Sequence, residues 1–254
     1  MKTEIIYGIH PVWEALQAAR RNFYEIYVAE EQKISKRLEK VIARTELLNI
    51  PVKPIKRSKL HAITGTELHQ GIGAKVSPHP LAKLTDIVHE NSMANARRLI
   101  LLLDSVVDPH NLGALTRTAV CAGLDGIIIS KDRSAPLSPT VSKSSSGALE
   151  HARLVQVTNI VSTIKLLKQG GLWVVGLDRH AKESVYETDL TCALAIVIGG
   201  EDKGIRPLVK KNCDFLVSIP QRGPIDALNA SVAGAIVIYE AYRQRSAKGM
   251  FNSV

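Results

Sequence analysis

The sequence predicts a two-part α/β protein, a small alternating α/β domain followed by a larger one built on a parallel sheet. Three observations carry that expectation. From Leu99 onward the chain contains continuous apolar runs separated by helical stretches, and strands that are apolar throughout belong to a parallel sheet covered by helices on both faces. Before residue 77 strand-like and helix-like segments alternate in the same way over shorter spans. Between the two lies "SPHPLAKL", Ser77 to Leu84, with two prolines and no strong period, which marks a linker. The expected division is therefore 1–76, a linker over 77–96, and 97–254.

In the first domain, "IIYG" reads as a strand closed by a glycine turn. The following "HPVWEALQAARR" reads as an amphipathic helix with Pro11 near its start, where a missing N–H costs nothing. "FYEIYVAE" is a strand, Ser35 to Asn49 a helix with Leu38, Val41, Ile42 and Leu48 as apolar positions, "IPVKPIK" a strand, and "RSKLHAITG" a short helix ended by Gly65. The strands of the second domain are "LILLLD", "GIIIS", "ARLVQV", "LWVVGL", "LAIVIG" and "FLVSIP". A long terminal helix follows, in which Val232, Ala233, Ile236, Val237, Tyr239 and Glu240 recur at helical spacing, the pattern of a core or a subunit contact.

Composition narrows the class. With 254 residues, 45% hydrophobic and 22% charged, the chain has the make-up of a globular protein with one large or two medium cores. A net charge of +9 and a pI near 9.5 call for a polyanionic partner. Residues 1–80 hold 13 Lys and Arg against 8 Glu and no Asp, so the positive charge is concentrated in the first third. No apolar run approaches the eighteen or so residues needed to span a bilayer, and "MKTEIIYGIH" lacks a long apolar leader, so a cytoplasmic protein without membrane association is expected. Cys121, Cys192 and Cys213 are far apart, with no C-x-x-C pair and no histidine at metal spacing. They read as reduced residues, and no metal site is expected.

In a parallel sheet ligands bind beyond the carboxyl ends of the strands, and three polar segments fall there: "DPHN", "GGEDKG" and "PQRGPIDALN". "VIGGEDKGI" places three glycines around Glu201, which allows close backbone approach to a flat ligand, or makes a plain turn with a solvated carboxylate. It lacks both the Walker spacing and G-x-G-x-x-G, so nucleoside triphosphate and nicotinamide readings lose their main support. In the third segment Asp226, Asn229 and Ser231 either cap the terminal helix or line a site. In "DPHNLGALTRTA", Asn111 is a cap or a site residue and Arg117 a surface or a site arginine.

Together, "DPHNLGALTRTA", "IGGEDKG" and "IPQRGPIDALNAS" resemble the three motifs of the SpoU or TrmH class of RNA 2′-O-ribose methyltransferases, over roughly Leu99 to Arg245. The basic segment beginning "YGIHPVWEAL" is similar to the ribosomal-protein-L30e-like RNA-binding domain of the subgroup that methylates a guanosine of 23S ribosomal RNA. The resemblance implies a SPOUT-like second domain with a deep trefoil knot, S-adenosylmethionine as cofactor, RNA as partner and a homodimer through the C-terminal domain. It implies that the backbone around Gly199, Gly200, Gly204, Ile219 and Leu228 holds the cofactor, and that Arg117 acts on the ribose hydroxyl as base or as electrostatic stabiliser. Asn111 and Glu201 would position Arg117 or the nucleotide, with Asn229 and Ser231 lining the site. Ala227 departs from the pattern, since family members usually carry a serine just before the Leu-Asn pair. The alternatives are the same reaction on tRNA or another rRNA nucleotide, or a non-catalytic RNA-binding ribosome-assembly factor.

Overall fold

The computed structural model describes residues 2–30, 35–88, 97–224 and 227–250, and divides into two compact units. Unit 1 comprises Met1–Pro80 together with Pro136–His151, and unit 2 comprises Leu81–Ala135 and Ala152–Val254.

Unit 1 holds strands β1 (Glu4–Tyr7), β2 (Phe23–Ala29), β3 (Val52–Ile55) and β4 (Ile72–Val76) in the order β1-β4-β2-β3. Pairing of β4 is antiparallel to β1 and β2, whereas β2 and β3 run parallel. Helices α1 (Ile9–Ala18), α2 (Lys36–Leu47) and α3 (Arg57–Thr64) match the expected segments. Ser35 caps α2 by accepting from the Leu38 amide at 3.3 Å, and Gly65 ends α3 at φ 69°, the left-handed geometry a glycine takes without strain. Ile6, Val12, Leu16, Ile26, Leu38, Val41 and Ile72 are fully buried between sheet and helices.

The division differs from the expected one in two ways. The stretch Pro136–His151 packs in unit 1, carrying a short helix (Pro139–Ser144) and a 3-10 turn (Ala148–His151). A buried cluster explains this. Arg21 donates from Nε and Nη2 to the two carboxylate oxygens of Glu150 (2.6 and 3.1 Å), and from Nη1 to Glu4 (2.8 Å) and to the Ser77 carbonyl (3.0 Å); the Ser142 hydroxyl also donates to Glu150. Nor are residues 77–88 a free linker. His79 is buried against the Leu149 carbonyl, and Leu84–Val88 form a helical turn that buries Ile87 and Val88; the rest, 89–96, lies outside the described residues.

Unit 2 contains the remaining strands: β5 (Leu99–Asp104), β6 (Gly126–Ser130), β7 (Leu154–Val157), β8 (Trp173–Leu177), β9 (Glu183–Ser184), β10 (Leu194–Gly199) and β11 (Phe215–Ser218). They form one sheet in the order β7-β6-β5-β10-β8-β11-β9, parallel at every pairing. The six expected strands are all present, with β9 as a short addition at the edge. β5 and β10 are buried at every residue, which is why both read as unbroken apolar runs. From β5 the chain runs out to β6 and β7, then crosses to the other side of β5. That makes the β5/β10 junction the switch point of the sheet, with Gly199 opposite Asp104 at its carboxyl end. Numbering helices by use, α4 (Pro109–Cys121) follows β5, α5 (Ile160–Gln169) follows β7 and α6 (Ala230–Ala247) closes unit 2.

Candidate active site

The glycine loop after β10 is built to bring backbone into a confined space. A Cβ on Gly199 would stand 2.0 Å from the carbonyl carbon of Gly204, and one on Gly200 would stand 2.2 Å from the Ser105 oxygen, so neither position admits a side chain. The Gly200 amide donates to the Asp104 carbonyl (2.9 Å) and the Gly204 amide to the Gly200 carbonyl (3.0 Å), with Gly204 at φ 60°. Asp104 fixes the far end: its fully buried carboxylate accepts from the Arg206 backbone amide (2.9 Å) and from the Arg206 guanidinium (2.7 Å).

Beside this loop lies a cavity of about 430 Å³, the size class of a nucleoside-sized ligand site. Gly199, Gly200, Gly204, Ile219 and Leu228 all line it, so the five residues expected around the cofactor come together from the ends of two strands, β10 and β11, and the segment leading into α6. Sequence reasoning missed its other wall. Asp178, Arg179 and His180 follow β8, and Lys210 and Gln221 also face the space; the signal available was the position of "LDRH" at the carboxyl end of a buried strand. Burial alone would raise the Asp178 carboxyl, but the Lys210 ammonium at 2.5 Å and the His180 amide reverse this and hold it below the usual carboxylate value.

The first and second motifs meet at the mouth. Asn111 is buried on α4, and its amide donates to the Glu201 carboxylate of the glycine loop. Asn111 is not the cap of α4; Asp108 accepts from the His110 amide at 2.9 Å in that role, which leaves the Asn111 side chain for Glu201. Arg117 is exposed on the same helix and is not among the residues that line the cavity. From the third motif Asn229 caps α6, accepting from the amides of Ser231 (2.8 Å) and Val232 (3.3 Å) and from the Ser231 hydroxyl (2.6 Å). Its neighbours Ala227, Leu228, Ala230 and Ala233 form the cavity wall, while Asp226 lies outside the described residues. α4 and α6 approach closely because residue 234 is glycine; a Cβ there would stand 2.3 Å from Leu115 Cδ2.

The cysteines take no part in this arrangement. The Cys213 thiol is pushed up to about 12 by burial and the neighbouring Asp214, far from thiolate chemistry at neutral pH. Among the described residues no three His, Cys, Asp or Glu side chains gather as a metal site, and no helix is long and apolar enough to cross a membrane.

Comparison with known proteins matches residues 98–239 to the SpoU rRNA Methylase family and residues 5–82 to the RNA 2′-O ribose methyltransferase substrate-binding family. The chain belongs to the SpoU methylase family. Among its relatives, the 23S rRNA (guanosine-2′-O-)-methyltransferase RlmB of Pseudomonas putida is 41% identical over 246 residues, covering 96% of this chain and 98% of that protein. The Escherichia coli RlmB is 38% identical over 244 residues, covering 96% and 100%. A solved RNA 2′-O ribose methyltransferase superposes with a TM-score of 0.81 at 26% identity over 96% of this chain and 89% of that one. The SpoU methyltransferase AviRb from Streptomyces viridochromogenes, solved with AdoMet, shares the fold with a TM-score of 0.78 at 23% identity over 96% and 91%. The SpoU methylase stretch therefore contains both the cavity and the Asn111–Glu201 pair.

Proposed function

We propose that this SpoU methylase transfers a methyl group from S-adenosylmethionine to the ribose 2′-hydroxyl of a guanosine in 23S rRNA. The observation that carries the reading is the junction of a glycine-walled cavity with the pair of buried Asn111 and Glu201 at the switch point of the sheet. The residues present fit the cofactor: glycine at 199 and 200 lets the loop close on the Gly204 and Ser105 backbone and line the cavity with main chain, and the Asp178 carboxylate offers an acceptor to hydroxyl or ammonium donors. When bound, S-adenosylmethionine supplies an electrophilic methyl on a sulfonium.

The chain's own work is placement and proton management. Backbone at Gly199, Ile219 and Leu228 holds the adenosine, and holding the hydroxyl in line supplies several kcal/mol through proximity. Glu201, fixed by Asn111, presents a second acceptor at the cavity mouth. Arg117 stabilises the developing alkoxide and the adjoining phosphate while the hydroxyl proton passes to solvent; its exposed position suits a substrate as large as RNA. Asn229 and Ser231 set the entry of α6 and so the position of Leu228.

The same proposal includes the knotted threading of unit 2, a cytoplasmic location, and a homodimer across α6. Val232 and Tyr239 are each 48% exposed on that helix, although its other face is already buried through Val237, Ile238 and Ala241. An isologous two-fold contact would cover them. Sedimentation at micromolar concentration should show a dimer, and a stable monomer would refute that part.

Mapping 2′-O-methyl groups in ribosomal RNA from cells with and without the protein tests the function. Loss of one guanosine methylation is expected. An unchanged rRNA map together with a lost methylation on tRNA would redirect the substrate, and cofactor binding without any transfer would favour an assembly factor, the outcome Ala227 would then explain.

A further inference from the structure

The turn after β8 is held on every side. The Asp178 amide donates to the Val217 carbonyl (2.9 Å), its carbonyl accepts from the Ala181 amide (3.0 Å), and its carboxylate accepts from the His180 amide (3.2 Å). Lys210, at the end of the short helix Pro207–Lys210, adds an ion pair at 2.5 Å to that carboxylate, whose side chain is 12% exposed. Arg179 and His180 are thereby presented to solvent from a stiff base, and the Arg179 Nε donates to the His180 Nε2 at 3.1 Å. A neutral ring that accepts at Nε2 carries its proton at Nδ1, so the pair presents donors.

Both residues border two spaces. One is the cavity beside the glycine loop. The other is a second hollow of about 270 Å³ that shares Arg179, His180, Ile219 and Gln221 with it and is completed by small or polar groups such as Ser218 and Gly223. The hollow therefore continues the cavity past the end of β11. Among the described residues three Arg or Lys side chains line the cavity: Arg179, Lys203 and Lys210. Lys210 is committed to Asp178, and Lys203 belongs to the glycine loop next to Glu201 and Asp202; of the three, Arg179 is the one that also borders the hollow.

S-adenosylmethionine joins a nucleoside to a zwitterionic amino acid, and its two ends ask for different walls. Main chain at Gly199 and Ile219 suits the nucleoside. A carboxylate laid against Ala227, Leu228, Ala230 and Ala233 would lose water without gaining a donor. A guanidinium answers a carboxylate with two parallel N–H donors, which an ammonium cannot do. We infer that Arg179, oriented by His180 and seated on the Asp178 turn, binds the α-carboxylate of the cofactor's methionyl end at the second hollow. Arg179 then decides which adenosyl sulfonium the enzyme accepts, favouring the amino-acid form over one that lacks the carboxylate. The inference rests on the S-adenosylmethionine reading above and deepens it by giving a residue to the end of the cofactor that the three motifs leave without one.

The test titrates the full chain, by calorimetry, with S-adenosylmethionine and with decarboxylated S-adenosylmethionine, which keeps the sulfonium and the ammonium but lacks the carboxylate. The parent should bind the carboxylate-bearing form about tenfold more tightly, the scale of a charge-assisted pair at a partly exposed site. Arg179→Gln should erase that preference, weakening S-adenosylmethionine about tenfold and leaving the decarboxylated form unchanged, so that the two losses do not add. Arg179→Lys should recover part of the preference, and His180→Ala should reduce it about threefold. Melting temperatures should stay near the parent's, because both side chains are exposed. A parent that binds both forms equally, or a glutamine variant that keeps the preference, would overturn the inference. So would an Arg179→Gln variant that binds both forms more weakly by the same factor, since that describes a support of the turn. A parent that binds neither form would overturn the cofactor reading itself, and the inference with it.

Discussion

Arg117 follows Asn111 by six positions on α4, and the two diverge: Asn111 is buried against Glu201 while Arg117 faces outward. Arg117→Ala should lower the single-turnover transfer of labelled methyl by at least about a hundredfold with little change in cofactor affinity. Arg117→Lys should rescue poorly, because an ammonium lacks the planar fork. Near-parental rates in a folded alanine variant, with stability within about 0.5 kcal/mol of the parent, would make Arg117 a surface residue. Gly200 makes the opposite kind of prediction. An alanine there must displace the Ser105 carbonyl, so Gly200→Ala should raise the cofactor dissociation constant at least about tenfold and lower the melting temperature, both readable in one calorimetric series. Both glycines were visible in the sequence as part of "GGEDKG". The Asp104–Arg206 pair that fixes them was not, because an aspartate ending an apolar strand and an arginine before a proline carry no mutual signal until β5 and β10 lie side by side.

At the scale of elements, α6 shows how a helix apolar on more than one face is held. Its end is fixed by Arg245, fully buried, whose guanidinium donates to the carbonyls of Arg97 (2.5 Å), Arg98 (3.1 Å), Leu190 (3.0 Å) and Cys192. Arg245→Met keeps much of the volume but removes the guanidinium donor from the carbonyls of Arg97, Leu190 and Cys192, while Arg98 keeps the Leu194 amide. It should cost at least about 3 kcal/mol in urea denaturation, and a loss below about 1 kcal/mol would show that water replaces the guanidinium freely. Most elements were legible from periodicity because the buried strands of unit 2 are long and uniformly apolar. β4 escaped because "IGAKV" is short and begins after glycine-rich sequence, though it sits between β1 and β2 at the centre of its sheet. The 3-10 turn and helix of residues 136–151 escaped for another reason: "SKSSSG" has loop composition, and the residue that recruits it, Arg21, is more than a hundred positions away.

Across the whole molecule the same cluster makes stability depend on pH. His79 is buried with its Nε2 on the Leu149 carbonyl (2.8 Å), and burial, with Arg21 and Arg20 nearby, lowers its pKa to about 4 despite the pull of Glu150. The unfolded chain protonates the ring near its ordinary 6.5, so between those values the unfolded state binds more protons. The stability is complete above pH 6.5 and is lost as pH falls toward 4, by about 3 kcal/mol in all. Urea midpoints at pH 7.5 and 5 should differ accordingly in the parent, and His79→Gln should flatten the difference; an equal slope in the variant would remove His79 as its source.

The return of residues 136–151 to unit 1 also sets a schedule for synthesis. When Pro80 has left the ribosome every strand of the first sheet exists, but Glu150, the buried counter-charge of Arg21, has not yet been made. At elongation speeds of about 5–20 residues per second, the gap between residues 80 and 150 lasts roughly 4 to 14 s. Through that interval the nascent first unit carries an open seam in which the Arg21 guanidinium has Glu4 and the Ser77 carbonyl but not Glu150, closed only after β5 and β6 have emerged. The two units are thus interlaced in time as well as in sequence, and a chain cut anywhere between them after residue 80 yields a first unit that never finishes.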